Sequence, residues 1–227
     1  MKYYAIIVAG GSGNRMQSTI PKQFLLLDEK PVLMHTIAAF HSCELAPHIL
    51  LVINIDQHKY WEELCLQYNF TIPHQVVNGG IQRYHSVKNG LKAIKGKGIV
   101  AVHDAVRPLI SAQLITKSYQ VAEQTGNCII GITPTDSVRK VLENGKSEAL
   151  SRAELALIQT PQTFDLELLK KAYKAPFRNE FTDDASVAEY AGYKINLIVG
   201  ERENIKITHP EDLEIASILR RMIKKTP

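Results

Sequence analysis

Cysteine is scarce and scattered. Cys43, Cys65 and Cys128 are the only three in 227 residues. An odd count without a C-x-x-C pair argues against a disulfide framework or a zinc knuckle, and points to buried apolar thiols in a reducing, cytoplasmic setting. Long apolar runs are missing too. None reaches the ~18 residues of a membrane span, and Tyr3-Tyr4-Ala5-Ile6-Ile7-Val8 behind Met1 is too short for a secretory leader. No membrane partner is expected. Charge of one sign is not concentrated: 27 lysines and arginines face 23 acids, a formal +4 spread along the chain. That argues against a nucleic-acid partner and suits a small anionic ligand. Repeats, low-complexity tracts and Pro/Gly/Ser-rich linkers are also absent, so residues 1–227 are expected to form one domain. The 45% hydrophobic and 22% charged composition is that of a globular chain.

What is present is an alternation. Short β-branched runs at Tyr3–Val8, Ile49–Ile53, Ile99–His103, Cys128–Thr133 and Ile195–Val199 are separated by segments of helical period. The helical segments are Val32–His41, Gln57–Gln67, Arg83–Ile94, Ala112–Gln124, Leu166–Tyr173, Ala185–Ala191 and about Glu211 to Ile223. Strands without polar alternation are buried on both faces. The expected fold is therefore α/β, a three-layer sandwich with a mostly parallel sheet.

One stretch departs from this pattern. Residues 136–152 alternate polar and apolar side chains around Asn144-Gly145, a strong signal for a β-hairpin. A half-exposed hairpin leaves an open edge. Pairing with the same arm of a second copy would cover it, so a homodimer through this arm is expected.

Directly after the first strand comes Val8-Ala9-Gly10-Gly11-Ser12-Gly13-Asn14-Arg15-Met16, then Pro21-Lys22-Gln23-Phe24. A glycine loop at the carboxyl end of a parallel strand lets main-chain N–H groups approach phosphate oxygens. Met16 stands where a dinucleotide fingerprint needs its third glycine, and no Gly-Lys-Ser/Thr follows Gly13, so neither a dinucleotide site nor a Walker A loop is read. The loop instead carries Arg15 and Lys22, which could flank a triphosphate. Asp104 ends a buried strand, a poor place for packing and a good one for a ligand or a hard cation. No Ser/His/Asp or Cys/His constellation stands out, and the histidines His35, His41, His58, His74, His85 and His103 show no metal-ligand spacing. They read as structural.

The run Ala9 to Met16 with Pro21-Lys22-Gln23-Phe24 resembles the sugar- and polyol-phosphate nucleotidylyltransferases. Five further motifs follow in order: Gly79-Gly80-Ile81-Gln82-Arg83-Tyr84-His85-Ser86, His103-Asp104-Ala105-Val106-Arg107-Pro108, Gln159-Thr160-Pro161-Gln162, Thr182-Asp183-Asp184-Ala185-Ser186, and Asn204-Ile205-Lys206-Ile207-Thr208. Together they resemble the 2-C-methyl-D-erythritol 4-phosphate cytidylyltransferase family across nearly the whole chain. The resemblance implies a Rossmann-like, GT-A-like nucleotidyltransferase fold. It also implies transfer of CMP from CTP to a polyol phosphate, with Mg²⁺ or another divalent cation. It makes Arg15, Lys22 and Lys206 the catalytic cations. Ala9, Gly10, Gly11, Gly13, Gly80, Arg83 and Ser86 would bind the nucleotide. Asp104, Arg107, Ser137, Arg152, Thr160 and Thr182 would bind the acceptor, with Asp104 also at the metal and Arg152 reaching across the dimer. Isoleucines on both sides of Lys206 suggest a short strand there.

Three other readings are open at this stage. A ribitol-5-phosphate cytidylyltransferase would run the same chemistry on a longer polyol. A glycosyltransferase would need a D-x-D metal motif, and Asp183-Asp184 are adjacent, not spaced. A non-catalytic nucleotide sensor would have no use for Lys22, Asp104 and Lys206 together.

Overall fold

A computed structural model describes residues 1–10, 20–143 and 145–225. In chain order the elements are β1 (Tyr3–Val8), β2 (Leu26–Leu27), β3 (Lys30–Pro31), α1 (Val32–His41), β4 (His48–Ile53) and α2 (His58–Gln67). Next come β5 (Gln75–Asn78), α3 (Arg83–Ala93), β6 (Ile99–Asp104), α4 (Ala112–Thr125) and β7 (Asn127–Ile132). Then follow β8 (Val138–Val141), β9 (Ser147–Leu150), β10 (Leu157–Asp165), α5 (Leu166–Ala172), α6 (Asp184–Tyr190), β11 (Leu197–Val199) and α7 (Glu211–Lys225).

Seven strands form one sheet in the order β11-β7-β10-β6-β1-β4-β5. Neighbours are parallel except β10, which runs antiparallel to both β6 and β7. The burial explains the apolar runs. Successive side chains of a strand point to opposite faces. Ala5 and Ile7 of β1 enter a core with Phe40, Trp61 and Tyr119 from α1, α2 and α4. Tyr4, Ile6 and Val8 enter a second core with Val87, Leu169 and Val187 from α3, α5 and α6. Each fully buried aliphatic side chain of this kind contributes roughly 1.5–3 kcal/mol. The sandwich therefore has three layers. Gly90 lets α3 lie close on the sheet, since a Cβ there would stand 2.9 Å from Ile6 Cγ2.

Two strands of the seven-stranded sheet go beyond the sequence reading. β5 is a short edge strand of mixed polarity, Gln-Val-Val-Asn. β10 lies at the centre of the sheet but reads Gln159-Thr160-Pro161-Gln162 in its middle. Proline cannot donate to a ladder, and here it sits at a bulge between Gln159 and Gln162, behind a cis Thr160–Pro161 bond. The last predicted strand is shorter than Ile195–Val199 and begins at Leu197. The strand expected around Lys206 is not formed. Residues 204–208 run as an irregular segment pinned by Ile207 N donating to Val106 O at 2.9 Å. Ile207 is buried in a third cluster with Leu27, Val32, Val106 and Ala216, which seats α7 over the β2–β3 clip.

The hairpin of residues 136–152 is present, and β8 and β9 pair antiparallel as a separate two-stranded sheet. At its end Leu142 N donates to Lys146 O, and Gly145, at φ +76°, donates its N–H to Leu142 O. Glycine thus takes the left-handed position in the turn. Val141 is 77% exposed on the arm. No helix among the described residues is long and apolar enough to cross a membrane.

Candidate active site

The carboxyl ends of the parallel strands converge on one edge of the sheet. β1 delivers Ala9 and Gly10, β6 delivers Asp104, and the turn after β5 delivers Gly79-Gly80 and the first turn of α3. A cleft of about 330 Å³ opens there, lined by Ala9, Gly10, Lys22, Gln82, Arg83, Asp104 and Lys206 among others. Lys22 reaches it from a short 3₁₀ turn, Lys22–Phe24, and donates to Ile207 O at 3.1 Å. Lys22 and the Lys206 segment are thus tied to each other. Gln23 is buried and donates to Ala9 O at 2.9 Å and to Gln57 Oε1 at 3.0 Å. It holds the turn that carries Lys22 against the end of β1.

Ser86 ties the turn after β5 to the first turn of α3. Its hydroxyl accepts from Gly80 N at 3.0 Å and donates to Gln82 O at 3.2 Å. A Cβ on Gly10 would lie 3.1 Å from that oxygen, and one on Gly80 would lie 2.4 Å from His85 Cβ. Glycine at both positions permits this close approach.

Asp104 is the electrostatic centre. Its Oδ2 lies 2.7 Å from Lys206 Nζ and 3.9 Å from Arg107 Nε, and its Oδ1 lies 3.3 Å from Arg83 Nε. Burial alone would raise its pKa, but Arg83, Lys206 and Arg107 outweigh that and hold it well below the usual carboxylate range. Asp104 is therefore ionised at neutral pH. Arg83 is shared. Its Nη2 donates at 2.6 Å to Asp184 Oδ2, and Asp184 Oδ1 accepts from Tyr173 OH at 2.5 Å. Burial works against the Arg83 charge, but Asp184 and Asp104 push its pKa well above the ordinary value. Burial, reinforced by Asp184, likewise keeps Tyr173 protonated.

A second cleft of about 240 Å³ adjoins the first and shares Arg83, Asp104 and Lys206 with it. Its other walls include Arg107, Gln159, Thr160, Gln162, Thr182 and Asp183. Thr182 is exposed at its rim. Arg107 Nη1 donates to Asn204 O at 2.7 Å, and the buried Asn204 side chain donates to Thr160 O at 2.9 Å and Gln159 Oε1 at 3.2 Å. Asn204 thereby locks the Lys206 segment onto β10. Thr160 Oγ1 accepts from Asp104 N at 3.0 Å and lies 3.1 Å from His103 Nδ1.

Several site residues read from the sequence therefore meet. Ala9, Gly10, Lys22, Arg83, Asp104 and Lys206 line the first cleft, and Arg107, Thr160 and Thr182 line the second. Gly80 and Ser86 stand just behind the first. Gly11, Gly13 and Arg15 lie outside the described residues. Ser137 and Arg152 line neither cleft. Ser137 is exposed at the base of the arm, and the Arg152 guanidinium donates to Thr135 O. Sequence reasoning gave no role to Gln23, Asp184, Gln159 or Asn204. All four lie inside motifs quoted above, Gln23 next to Lys22 and Asn204 two positions before Lys206.

Among the described residues, Asp104 is the one carboxylate on the first cleft, and no group of three or more His, Cys, Asp or Glu could hold a metal ion. A lone carboxylate suits a magnesium ion whose remaining oxygens come from a triphosphate. It does not suit a resident metal cage.

The sequence profile of the 2-C-methyl-D-erythritol 4-phosphate cytidylyltransferases matches residues 3–221. The chain belongs to the 2-C-methyl-D-erythritol 4-phosphate cytidylyltransferase family. The family member of Phocaeicola vulgatus is 47% identical over 219 residues, covering 96% of this chain and 100% of that one. That of Bacteroides thetaiotaomicron is 48% identical over 219 residues, with the same coverage of both chains. Among solved structures, 4-diphosphocytidyl-2C-methyl-D-erythritol synthase of Anaerococcus prevotii superposes with a TM-score of 0.84 at 28% identity, covering 97% of this chain and 96% of that one. The cytidylyltransferase of Thermus thermophilus superposes at 0.79 and 27% identity, covering 97% of this chain and 100% of that one. The cytidylyltransferase fold thus extends over the whole sandwich, with both clefts at its carboxyl edge.

Proposed function

We infer that this chain transfers CMP from CTP to 2-C-methyl-D-erythritol 4-phosphate, giving 4-diphosphocytidyl-2-C-methyl-D-erythritol and pyrophosphate for isoprenoid precursor synthesis. The observation that carries the chemistry is the pair of adjoining clefts with Arg83, Asp104 and Lys206 at their junction. The first suits the triphosphate, the second the polyol phosphate. An oxygen of the acceptor phosphate attacks the α-phosphorus of CTP. The new P–O bond forms as the bond to the β-phosphate bridge breaks, and the electron pair leaves with pyrophosphate. The nucleophile is already anionic at neutral pH, so no side chain has to remove a proton. What the protein must do is bring two anions together and hold the charge that builds at the α-phosphorus and on the leaving group. Lys206 and Lys22 supply fixed positive charge at the cleft, and the family resemblance makes Arg15 a third catalytic cation. Asp104 keeps the Lys206 ammonium in place until phosphate arrives. Magnesium or another divalent cation would enter with the triphosphate, take Asp104 as its protein ligand and neutralise phosphate charge.

Pyrophosphate release, measured with each of four nucleoside triphosphates and with both methylerythritol and ribitol phosphates, tests this reading. Release is expected with CTP and methylerythritol phosphate. A preference for ribitol phosphate or for another triphosphate contradicts it.

We further propose that the arm of residues 136–152 pairs two copies into a homodimer in the cytoplasm, where Cys43, Cys65 and Cys128 remain free thiols. The exposed Val141 supports a covered arm, and the position of Ser137 and Arg152 away from their own clefts supports a role in the partner's. Mixing inactive Arg152→Ala with inactive Lys206→Ala then restores activity, because one site of each mixed dimer keeps both side chains. Mixtures that stay as inactive as their components contradict a shared site.

A further inference from the structure

We propose that the outer face of α7 is a self-pairing surface, which packs antiparallel against α7 of a second copy of this chain about a two-fold at Ile218. The inner face is already engaged. Ala216 is buried in the cluster with Leu27, Val32, Val106 and Ile207, and Leu213 and Leu219 pack on it. Ser217 Oγ and Arg220 Nη1 donate to the two carboxylate oxygens of Asp28 at 2.6 and 2.7 Å, which fastens the helix to the β2–β3 clip. A helix held in this way ordinarily turns polar residues outward. Here the outer face is apolar at its middle. Ile215, Ile218 and Met222 are 46%, 51% and 60% exposed. Their spacing of three and four residues sets them in one stripe along the helix. Single exposed apolar residues are ordinary, but a contiguous stripe rimmed by charge marks a contact surface.

The charges around the stripe say what covers it. The exposed Glu211 and Glu214 come before Ile218, and the exposed Arg221 comes after it. None of the three has an ion-pair partner among the described residues. Acids first and bases last suit the helix dipole, but the dipole gives no reason for isoleucines between them. Antiparallel pairing accounts for both. A two-fold across the helix at Ile218 sets residues at matching distances before and after it side by side, and each flank meets the same flank of the other copy. Ile218 then meets Ile218 of the second copy. On one flank Ile215 lies beside Met222 of the second copy. On the other, Glu214 lies beside Arg221 of the second copy, within one residue's rise, about 1.5 Å, of level. A parallel pair would set Glu214 on Glu214, and an anionic lipid surface would be repelled by Glu211 and Glu214. One pair of 15-residue helices buries less than a standard interface, so the contact is a weak one, with Kd roughly 10–100 µM. A dimer paired through the arm presents two copies of α7, and this contact joins such dimers into larger assemblies.

Sedimentation equilibrium of the full chain, at concentrations above that Kd, tests the pairing. The wild type is expected at no less than twice the mass of Ile218→Lys, which places a charge at the two-fold. Ile218 is half exposed, so this variant should keep the fold. Both proteins carry the arm, so the ratio is the same whatever the arm contributes. Glu214→Arg and Arg221→Glu each set like charges against one another on the charged flank, and each should weaken association about tenfold. An equal mixture of these two variants is expected to regain wild-type association, because opposite charges face one another again. A chain carrying both changes should do the same. One mass shared by the wild type and Ile218→Lys overturns the proposal. So does a wild type that binds phosphatidylglycerol vesicles and does not self-associate. Single charge variants that associate as the wild type does, or that their mixture fails to rescue, overturn the antiparallel register and the proposal with it.

Discussion

Replacing Lys206 by alanine is expected to slow turnover by roughly 10²–10³-fold, the usual loss when one fixed donor to transition-state charge is removed. The fold should survive. The Lys206 side chain is 40% exposed, and its segment is held by Ile207 N, by the Asn204 side chain and by the buried Ile207, none of which needs the ammonium. Its ion pair with Asp104 is partly solvated, so the stability change should stay within about 1 kcal/mol. Asp104 keeps Arg83 as a partner and remains ionised. Single-turnover kinetics with saturating CTP and acceptor, beside a denaturant melt, check both halves. Near-normal turnover would remove Lys206 from the chemistry. A collapsed melting curve would show that its role is to hold the segment.

Asp184→Asn is expected to be the most destabilising single-atom change at the site. Asp184 is wholly buried, and it is the counter-charge that lets Arg83 stay charged in a desolvated setting. The asparagine keeps the shape and can still accept from Tyr173, but it leaves Arg83 leaning on Asp104 alone. Breaking a buried ion pair by removing one partner costs about 3–5 kcal/mol, which for a domain of this size lowers Tm by roughly 10 °C. Its neighbour gives the contrast. Asp183 caps α6 by accepting from Ser186 N at 2.9 Å in a capping box. Asp183→Ala should cost about 1 kcal/mol for the lost cap and about 1 kcal/mol more for the buried Gln162 amide left without its acceptor. Thermal melts of the two variants test the assignment, and equal losses would contradict it.

That pair also shows where sequence reasoning ends. Two aspartates before a helix look alike in the sequence. One caps the helix that follows it, a role its local sequence shows. The other answers to Arg83, 101 positions earlier, and no local pattern carries that. His103 is similar, since its partner Thr160 is 57 positions away and only the fold joins them. The parallel strands were legible because burial on both faces demands continuous β-branched runs. β10 was not, because its centre is Gln-Thr-Pro-Gln: a polar stretch whose side chains bond to Asn204 and Asp183 and face the second cleft instead of filling a core. Lys22, Asp104 and Lys206 could be picked out because each is charged where packing has no use for charge. The hydrogen bonds that aim them, from Gln23 and Asn204, come from neutral amides that look like any surface residue until their burial is seen.

Cytidine triphosphate is expected to lie against the ledge at Ala9-Gly10 with its α-phosphate between Lys22 and Lys206. A crystal structure of the protein with CTP and magnesium measures this directly. Phosphate oxygens should stand within hydrogen-bonding range, about 3 Å, of the ammonium groups of Lys22 and Lys206. A nucleotide bound with its phosphates away from both lysines contradicts the account.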